Sequence, residues 1–446
     1  MKPGVTPFGR LWIAAATSGL SQWMVQIALF YSVLHDHGAP ALAWVVLLGT
    51  LPSFLLGPIL GTAADRWSAG RAVQVAGLAQ ALCLLVLSRA VSGPIPWLVL
   101  AYAGSNVLSA LEGPSRQRLL YQTVALDERS RANASIGSIS GIVTILGALL
   151  GGTVGLLGVV PIFLGASLFR LIGTAWLLGL RPRVQARTKS GRRVAPYGSS
   201  LKEGFEAIGR FPRATSVLLV GIAWGLVGGG YDVLLSDYGV HLLRGGSMGL
   251  ATLYVVDGLG VLIGISVSRR LATRLRSHAY GWSYVLQGLF WTFFSLSHSM
   301  TMSVPLLFLM RIASGIIIAW DTTLLLETVP ERLHGRVYSL HMSTYGGVMR
   351  LSLMLTGLLL AVVGPRGVAV GAGCASVMVG LTWWLTVGRR WPGGSPALEK
   401  EGVDPSLPGI AAKTADRRPS SECQDDDTRC ATAIAGEEGW EERFAC

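Results

Sequence analysis

The sequence has few charged residues. They make up 14% of its 446 residues, whereas 51% are hydrophobic, and soluble domains average about 25% charged. The charges are also unevenly placed, because 12 of the 25 acidic residues follow Trp391. Folded as a soluble globule, the apolar sequence before that point would expose too much hydrocarbon to water. The composition therefore excludes a soluble protein and indicates one that crosses a membrane repeatedly.

Sequence motifs for several kinds of chemistry are missing. The five cysteines show no CxxC or Cys/His spacing suited to a metal, and no Gly-x-x-x-x-Gly-Lys-Ser/Thr loop occurs that would bind ATP phosphates. The seven histidines lie mostly at loop ends, without a nucleophile. We therefore expect no metal, no cofactor and no enzyme activity. Lys and Arg fall in short loops between apolar runs, where membrane topology explains them, so we expect no nucleic-acid partner.

Twelve segments are long and apolar enough to cross the hydrocarbon core, which takes about 20 residues. In chain order, spans 1 to 12 are Leu11–Leu34, Leu42–Ala63, Ala72–Ser92, Pro96–Ser115, Ala134–Leu157, Val159–Leu180, Ala214–Tyr238, Met248–Val267, Ala279–Ser297, Val304–Leu326, Val337–Val363 and Gly367–Val387. The pattern predicts an all-α membrane protein. An even number of spans places both termini on the same face.

The charges of the loops indicate the orientation. Loops on the face of the termini carry 23 Lys and Arg residues, whereas the other face has only Arg89, Arg244 and Arg366. We call the first face the basic face. Because basic loops stay in the cytoplasm, we predict a multi-pass protein of the inner (plasma) membrane with both termini cytoplasmic.

The longest internal loop divides the chain into two halves of six spans. It covers residues 181–213 and holds nine basic residues, so it is either a tether between moving halves or an anchor to anionic lipid. The predicted domains are thus a bundle at 1–180, this linker, and a bundle at 214–388. Residues 389–446 form an acidic tail with few aromatics, for which we expect disorder.

The two halves also contain a sequence repeat. The segment Gly61–Arg71 after span 2 recurs as Gly264–Arg274 after span 8, 203 residues later, with its first glycine and two arginines preserved. The segment Thr123–Arg131 likewise recurs as Thr328–Arg336, 205 residues later. Two homologous halves predict two pseudo-symmetric six-helix bundles, as in transporters that bind substrate near the midplane and rock between two open states.

The segment after span 2 resembles the loop motif Gly-x-x-x-Asp-Arg-x-x-x-Gly-Arg of the major facilitator superfamily. The matching residues are Gly61, Asp65, Arg66, Gly70 and Arg71. The segments Gly113–Gln117, Thr123–Asn133 and Gly147–Gly152 are similar to its macrolide-efflux-like drug:proton antiporter branch. The resemblance covers roughly residues 8–388 and implies the major facilitator fold.

The resemblance also implies a role for the loop motif. Asp65 would latch the two halves together on the cytoplasmic side in the outward-facing state, and Arg66 and Arg71 would shape its charge network. The alternative is a plain topogenic loop. In the second copy Ser268 replaces the aspartate, so we expect a weak latch or none there.

Glycines recur along span 5 at spacings that let helices approach closely. The set singled out for helix packing is Gly147, Gly151, Gly152 and Gly155. Close packing and an antiport role explain them equally well.

Charged residues inside spans are costly and usually functional. Asp257, near the middle of span 8, is the first candidate proton carrier, with Arg350 and Arg311 as partners. Burial favours the neutral form of a carboxylate, while a nearby arginine favours the ionised form. The alternative is a permanently ionised pair that holds helices in register. Glu112 on span 4 is the second candidate; solvation or pairing with Arg116 is its alternative.

A further set of polar and aromatic residues is expected to line an amphipathic substrate cavity. The set is Gln22, Trp23, Gln26, Trp224, Tyr231, Asp232, Trp320 and Asp321. Each aromatic taken alone is also explained by packing or by a position at the membrane interface. Asp321, in the inner third of span 10, either lines the inner vestibule or is solvated at the loop end.

These features predict a transporter that exports a moderately apolar, drug- or macrolide-like molecule and is driven by protons. We also consider a siderophore or metabolite exporter, an uncoupled facilitator, and a non-transporting scaffold or sensor that binds partners through its tail. The expected partners are the lipid bilayer, a small-molecule substrate and protons. We expect a monomer.

Overall fold

The computed structural model describes residues 6–124, 128–180, 208–209, 211–271, 276–330 and 333–390, and all regular elements in these ranges are helical. The α-helices are Pro7–Arg66, Ala69–Ala90, Ile95–Thr123, Arg129–Gly152, Val154–Leu157, Val159–Leu177, Pro212–Gly228, Tyr231–Asp237, Gly246–Arg270, Arg276–Leu296, Met300–Glu327, His334–Val362 and Gly364–Thr386. A π-helical turn, Tyr238–Leu242, extends Tyr231–Asp237, and Gly388–Arg390 forms a 3₁₀ turn.

These helices account for the twelve predicted spans. Eight described segments satisfy both the length and the hydropathy of a membrane-spanning helix. One of them, in the helix Pro7–Arg66, holds both span 1 and span 2, because the chain turns at Gly38 with φ 80°, a conformation that favours glycine. Spans 4, 5 and 9 complete the set with helices of 29, 24 and 21 residues, each at least about 30 Å long.

The spans pack as the two bundles that the repeat predicts. In the first bundle, span 2 lies against span 4, span 3 packs on spans 4 and 6, and span 5 packs on span 1. In the second, span 9 packs on spans 10 and 12, span 8 on span 10, and span 7 on span 11. The twelve-helix, two-bundle fold is confirmed.

The outer surface of the bundles is hydrophobic. Leu55, Ile59, Leu82, Leu100 and Val362 are each at least 61% exposed. Exposure of large apolar side chains on this scale suits contact with lipid tails rather than water. The surface therefore agrees with the low charge content of the sequence.

Two seams join the bundles. The span 5–8 seam brings Gly152 against Ala251, and the span 2–11 seam brings Ala43 against Gly357. Both contacts lie at the ends of their helices away from the basic face. Further contacts, of Gly141 with Leu262 and of Gly346 with Phe54, carry both seams to about the middle of their helices. Cavities between and within the bundles hold most of the candidate site residues.

Candidate functional site

The larger cavity, called here the central cavity, lies between the bundles and has a volume of about 480 Å³. Span 1 contributes Trp23, span 5 contributes Gly141 and Thr144, and the second bundle contributes the rest. The aromatic lining consists of Trp23, Trp224, Tyr231, Tyr254 and Tyr345. The lining reaches along span 8 from Asp257 to Ile265, so it extends toward the basic face.

A buried ion pair forms one wall of the central cavity. Arg311 Nε lies 2.6 Å from Asp257 Oδ1, and its Nη2 donates to Oδ2 at 3.3 Å. The Tyr231 hydroxyl also donates to Asp257 Oδ1, at 2.5 Å, and the Arg311 guanidinium lies 4.9 Å from the centre of the Tyr231 ring. Asp257 thus links spans 7, 8 and 10, and its carboxylate is well satisfied as an anion.

Asp232, next to Tyr231 in sequence, has weaker contacts. It is exposed to the central cavity, and the Tyr254 hydroxyl lies 3.4 Å from its Oδ1. The described lining therefore holds two carboxylates, Asp232 and Asp257, and one guanidinium, Arg311. With all three ionised, the cavity carries a net negative charge.

A smaller cavity, called here the N-terminal cavity, lies within the first bundle and has a volume of about 220 Å³. Glu112 Oε2 lies 3.2 Å from Arg170 Nη1, and its Oε1 lies 3.6 Å from Arg116 Nη1. Gln22 also lines this cavity, and Trp23 lines both cavities. The described charged lining is thus one carboxylate and two guanidiniums, the opposite balance to the central cavity.

The structure distinguishes between the proposed arginine partners. Arg311 binds Asp257, whereas the Arg350 guanidinium lies 4.3 Å from the centre of the Phe54 ring and donates to Gly346 O at 2.8 Å. Arg350 therefore does not share the Asp257 site. Glu112 pairs with Arg116, as considered from the sequence, and also with Arg170, a partner that sequence reasoning missed.

The residues expected to line a substrate cavity divide into four groups. Trp23, Trp224, Tyr231 and Asp232 line the central cavity, and Gln22 lines the N-terminal one. Gln26 lies beside a pocket of about 50 Å³ in the first bundle. Trp320 and Asp321 line neither of the two cavities, because the rotation of span 10 turns them into the buried core of the second bundle.

Asp321 instead belongs to a buried polar network. His341 Nε2 lies 2.7 Å from Asp321 Oδ2, and the Tyr280 hydroxyl donates to Oδ1 at 2.7 Å. Asp321 is 7% exposed, so it neither lines a vestibule nor is solvated by a loop. Sequence reasoning missed His341, although its position inside span 11 was a signal, because a histidine within a span needs a partner.

Replacing His341 with alanine is expected to lower the free energy of unfolding by about 3 kcal/mol, since it removes a hydrogen bond to a buried carboxylate and leaves a void. Asp321→Asn, which keeps an oxygen for Tyr280, should cost less than half as much. Chemical unfolding of the detergent-solubilised protein measures both. An equal loss of unfolding free energy in the two variants would contradict the assignment of His341 as the buried partner of Asp321.

Much of the loop motif lies outside what the structure describes. The backbone of 61–66 continues the first helix, but the side chains of Gly61, Asp65 and Arg66 are not among the described ones. A Cβ on Gly70 would meet no atom within 4 Å, and Arg71 is exposed. The latch therefore stays a prediction, as do the boundaries of the linker and the tail.

The glycines of span 5 face two different neighbours. A Cβ on Gly147 would lie 2.5 Å from Trp23 Cβ, and one on Gly151 would lie 2.7 Å from Ile27 Cβ, both in span 1. A Cβ on Gly152 would instead lie 2.4 Å from Ala251 Cβ, and one on Gly155 would lie 2.3 Å from Ser247 Oγ. One pair thus packs span 5 within its bundle, and the other forms the seam with span 8.

Comparisons with known proteins give a family and a fold. Residues 11–348 match the family model described as Major Facilitator Superfamily. Solute carrier family 22 member 18 of Mus musculus is 32% identical over 189 residues, 40% of this chain and 46% of that protein. Solute carrier family 67 member A1 of Homo sapiens is 29% identical over 191 residues, 40% of this chain and 44% of that protein. The matched region spans less than half the length of these curated relatives.

Among solved structures, the nucleoside transporter NupG superposes with a TM-score of 0.66. The match covers 86% of this chain and 100% of that one at 12% identity. At this identity the likeness shows the fold alone. The match over the whole of that chain agrees with the twelve spans assigned above.

Proposed function

Because the chain belongs to the Major Facilitator Superfamily, we propose that it is a proton-coupled exporter of moderately apolar, drug- or macrolide-like small molecules. The family and the fold make it a multi-pass secondary transporter and not an enzyme. The direction of transport, the coupling ion and the class of substrate are the proposal. It works by alternating access between the two bundles, as a monomer.

The orientation follows from the loops. The basic face lies in the cytoplasm of a cell whose plasma (inner) membrane holds the protein, and both termini are cytoplasmic. The described seams run from the ends away from this face to about the middle of the spans, while the central cavity extends toward the basic face. This arrangement supports loading of substrate from the cytoplasm.

The central cavity is the observation that carries the proposal. Its volume of about 480 Å³ falls within the usual range for small-molecule sites, about 300–1,000 Å³. Aromatic rings supply apolar contact, and the few polar groups converge on Asp232, Asp257 and Arg311. A moderately apolar ligand with a polar group fits such a lining.

The same lining supports coupling to protons. The described lining holds Asp232 and Asp257 but one guanidinium, which contacts Asp257, so one negative charge stays without a basic partner there. Such a charge is relieved by binding a proton or a positive group. We assign Asp257 as the coupling residue: when a shift of span 8 against span 10 within the second bundle separates it from Arg311, its carboxylate takes up the proton that Arg311 had replaced.

The test is flux in proteoliposomes. With a pH gradient imposed, the wild-type protein should concentrate an apolar dye or macrolide in the vesicles. Asp257→Asn should reduce the part of this flux that depends on the gradient by at least about tenfold, the equivalent of 1.4 kcal/mol. Asp36→Asn, an exposed carboxylate at the opposite face, is the matched control and should transport normally. Proton coupling through Asp257 is wrong if its variant keeps the response to the gradient.

One observation favours a second candidate, an uncoupled facilitator. The two contacts between Arg311 and Asp257 also suit a permanently ionised pair that only holds spans 8 and 10 in register. A facilitator would equilibrate substrate at the same rate with and without the gradient. The assay above separates the two, whereas a siderophore or metabolite exporter would differ only in which compound moves.

A further inference from the structure

The two cavities carry opposite charge. In the N-terminal cavity, Arg116 and Arg170 share the single carboxylate of Glu112, which leaves one positive charge over. In the central cavity, the single guanidinium of the described lining, Arg311, pairs with Asp257, so Asp232 adds one negative charge without a basic partner. These counts cover the described lining residues of each cavity.

The surplus charges are placed where a ligand can reach them. The carboxylates and guanidiniums that pair most closely, Glu112 with Arg170 and Asp257 with Arg311, have side chains at most 16% exposed. The remaining groups are more accessible: the Arg116 side chain is 34% exposed, and Asp232 is exposed to the central cavity. Each cavity thus holds one satisfied pair and one group still open to a partner.

Trp23 is the residue that the described linings of the two cavities share. It lines both cavities, and its ring packs edge-on against Tyr254, with 5.7 Å between centroids. The hydroxyl of Tyr254 is in turn the group nearest to the Asp232 carboxylate in the described contacts. A molecule lying along Trp23 would therefore present one end to the positive cavity and the other to the negative one.

We propose that the substrate is amphoteric: an aromatic small molecule whose anionic group binds at Arg116 and whose ammonium group binds at Asp232. This inference rests on the proposed function and names its class of substrate. A cation alone would leave the surplus guanidinium unpaired, and an anion alone would leave Asp232 unpaired. Either omission forgoes one charge-assisted contact, which is stronger than a contact between neutral groups. A zwitterion satisfies both ends at once.

The proposal gives Arg116 and Asp232 separable roles in specificity. Arg116→Gln removes the surplus positive charge and leaves the Glu112–Arg170 pair intact. Asp232→Asn removes the surplus negative charge and leaves the Asp257–Arg311 pair intact. Neither variant strands a buried charge, so both are expected to fold.

The experiment measures binding to the purified full-length protein by titration calorimetry. The probes are norfloxacin, which carries a carboxylate and a secondary ammonium, its methyl ester, which is only a cation, and its N-acetyl derivative, which is only an anion. Norfloxacin should bind at least about tenfold more tightly than either derivative, the effect of one charge-assisted contact.

The variants then assign the two ends. In Arg116→Gln, the affinity for norfloxacin should fall to the affinity for the methyl ester. The affinity for the methyl ester itself should not change. In Asp232→Asn, the affinity for norfloxacin should fall to the affinity for the N-acetyl derivative. The affinity for that derivative should not change. Arg89→Gln, an exposed arginine on the opposite face, should leave all three affinities as in the wild type.

The outcomes that overturn the inference differ from those that overturn the proposed function. Equal affinities for the three probes, or an equal loss for all probes in Arg116→Gln, would show that no separate anion site exists. Proton-driven flux of norfloxacin in proteoliposomes tests the exporter itself. Selective binding without such flux would uphold the substrate class and reject the exporter.

Discussion

Replacing Arg311 with glutamine is expected to lower the free energy of unfolding by about 3–5 kcal/mol, the usual cost of leaving one member of a buried ion pair alone. The Asp257 side chain is 10% exposed and would keep only the Tyr231 hydroxyl as a close partner among its described contacts. Span 10 loses its ion pair with span 8 at the same time. Transport should fall with stability, and chemical unfolding in detergent measures the loss.

The double variant Asp257→Asn/Arg311→Gln is the control for this prediction. It removes both charges, so most of the lost stability should return, because neutral side chains of similar size avoid the stranded charge. Gradient-driven transport should not return, since the coupling carboxylate is gone. If Arg311→Gln is as stable as the wild type, the contact between the two side chains does not hold the spans together.

Replacing Gly152 with valine is expected to reduce flux by more than tenfold by keeping the span 5–8 seam from closing. Even a single Cβ at this position would lie 2.4 Å from Ala251 Cβ, which is closer than two carbons can approach. Relieving this overlap within a packed bundle costs about 1–3 kcal/mol. Separating the two bundles at this end relieves the overlap without that cost. The state in which the bundles are apart at this end should therefore become the more populated one.

Accessibility of the seam measures this shift. In a variant with all native cysteines replaced, Ser247→Cys should react slowly with a membrane-impermeant maleimide, because Ser247 packs under Gly155 and is 7% exposed. Adding Gly152→Val should raise the labelling rate. The matched control is Gly371→Val in span 12, where a Cβ would meet no atom within 4 Å. Unchanged labelling and flux in Gly152→Val would mean that this seam does not gate transport.

The charged residues show how far sequence reasoning reaches. The residue types in the spans were enough to single out Asp257, Glu112 and Asp321, because a charge in hydrocarbon stands out against its neighbours. Their partners were not evident, since a partner depends on how each helix is rotated about its own axis. The sequence offered both Arg311 and Arg350 as partners of Asp257, yet Arg350 turns toward Phe54.

Span 10 gives the same lesson within one helix. Arg311 and Asp321 both lie in it, but Arg311 faces the central cavity and Asp321 faces His341 and Tyr280 in the core of the bundle. The sequence placed Asp321 at the inner vestibule or at a solvated loop end, because it indicates depth along the helix and not the facing side. The glycines of span 5 were likewise recognised as a packing set, but only the structure separated Gly147 and Gly151 from Gly152 and Gly155.

The sequence by itself determined the number of membrane crossings, the division into two homologous halves and the family. These depend on local hydropathy and on short motifs, which adjacent residues carry without reference to the rest of the chain. Only the tertiary structure decided which charges pair, which aromatics line a cavity and which glycines form a seam. Those features depend on contacts between helices far apart in sequence, and a rotation of one helix by half a turn would exchange a cavity wall for a core residue.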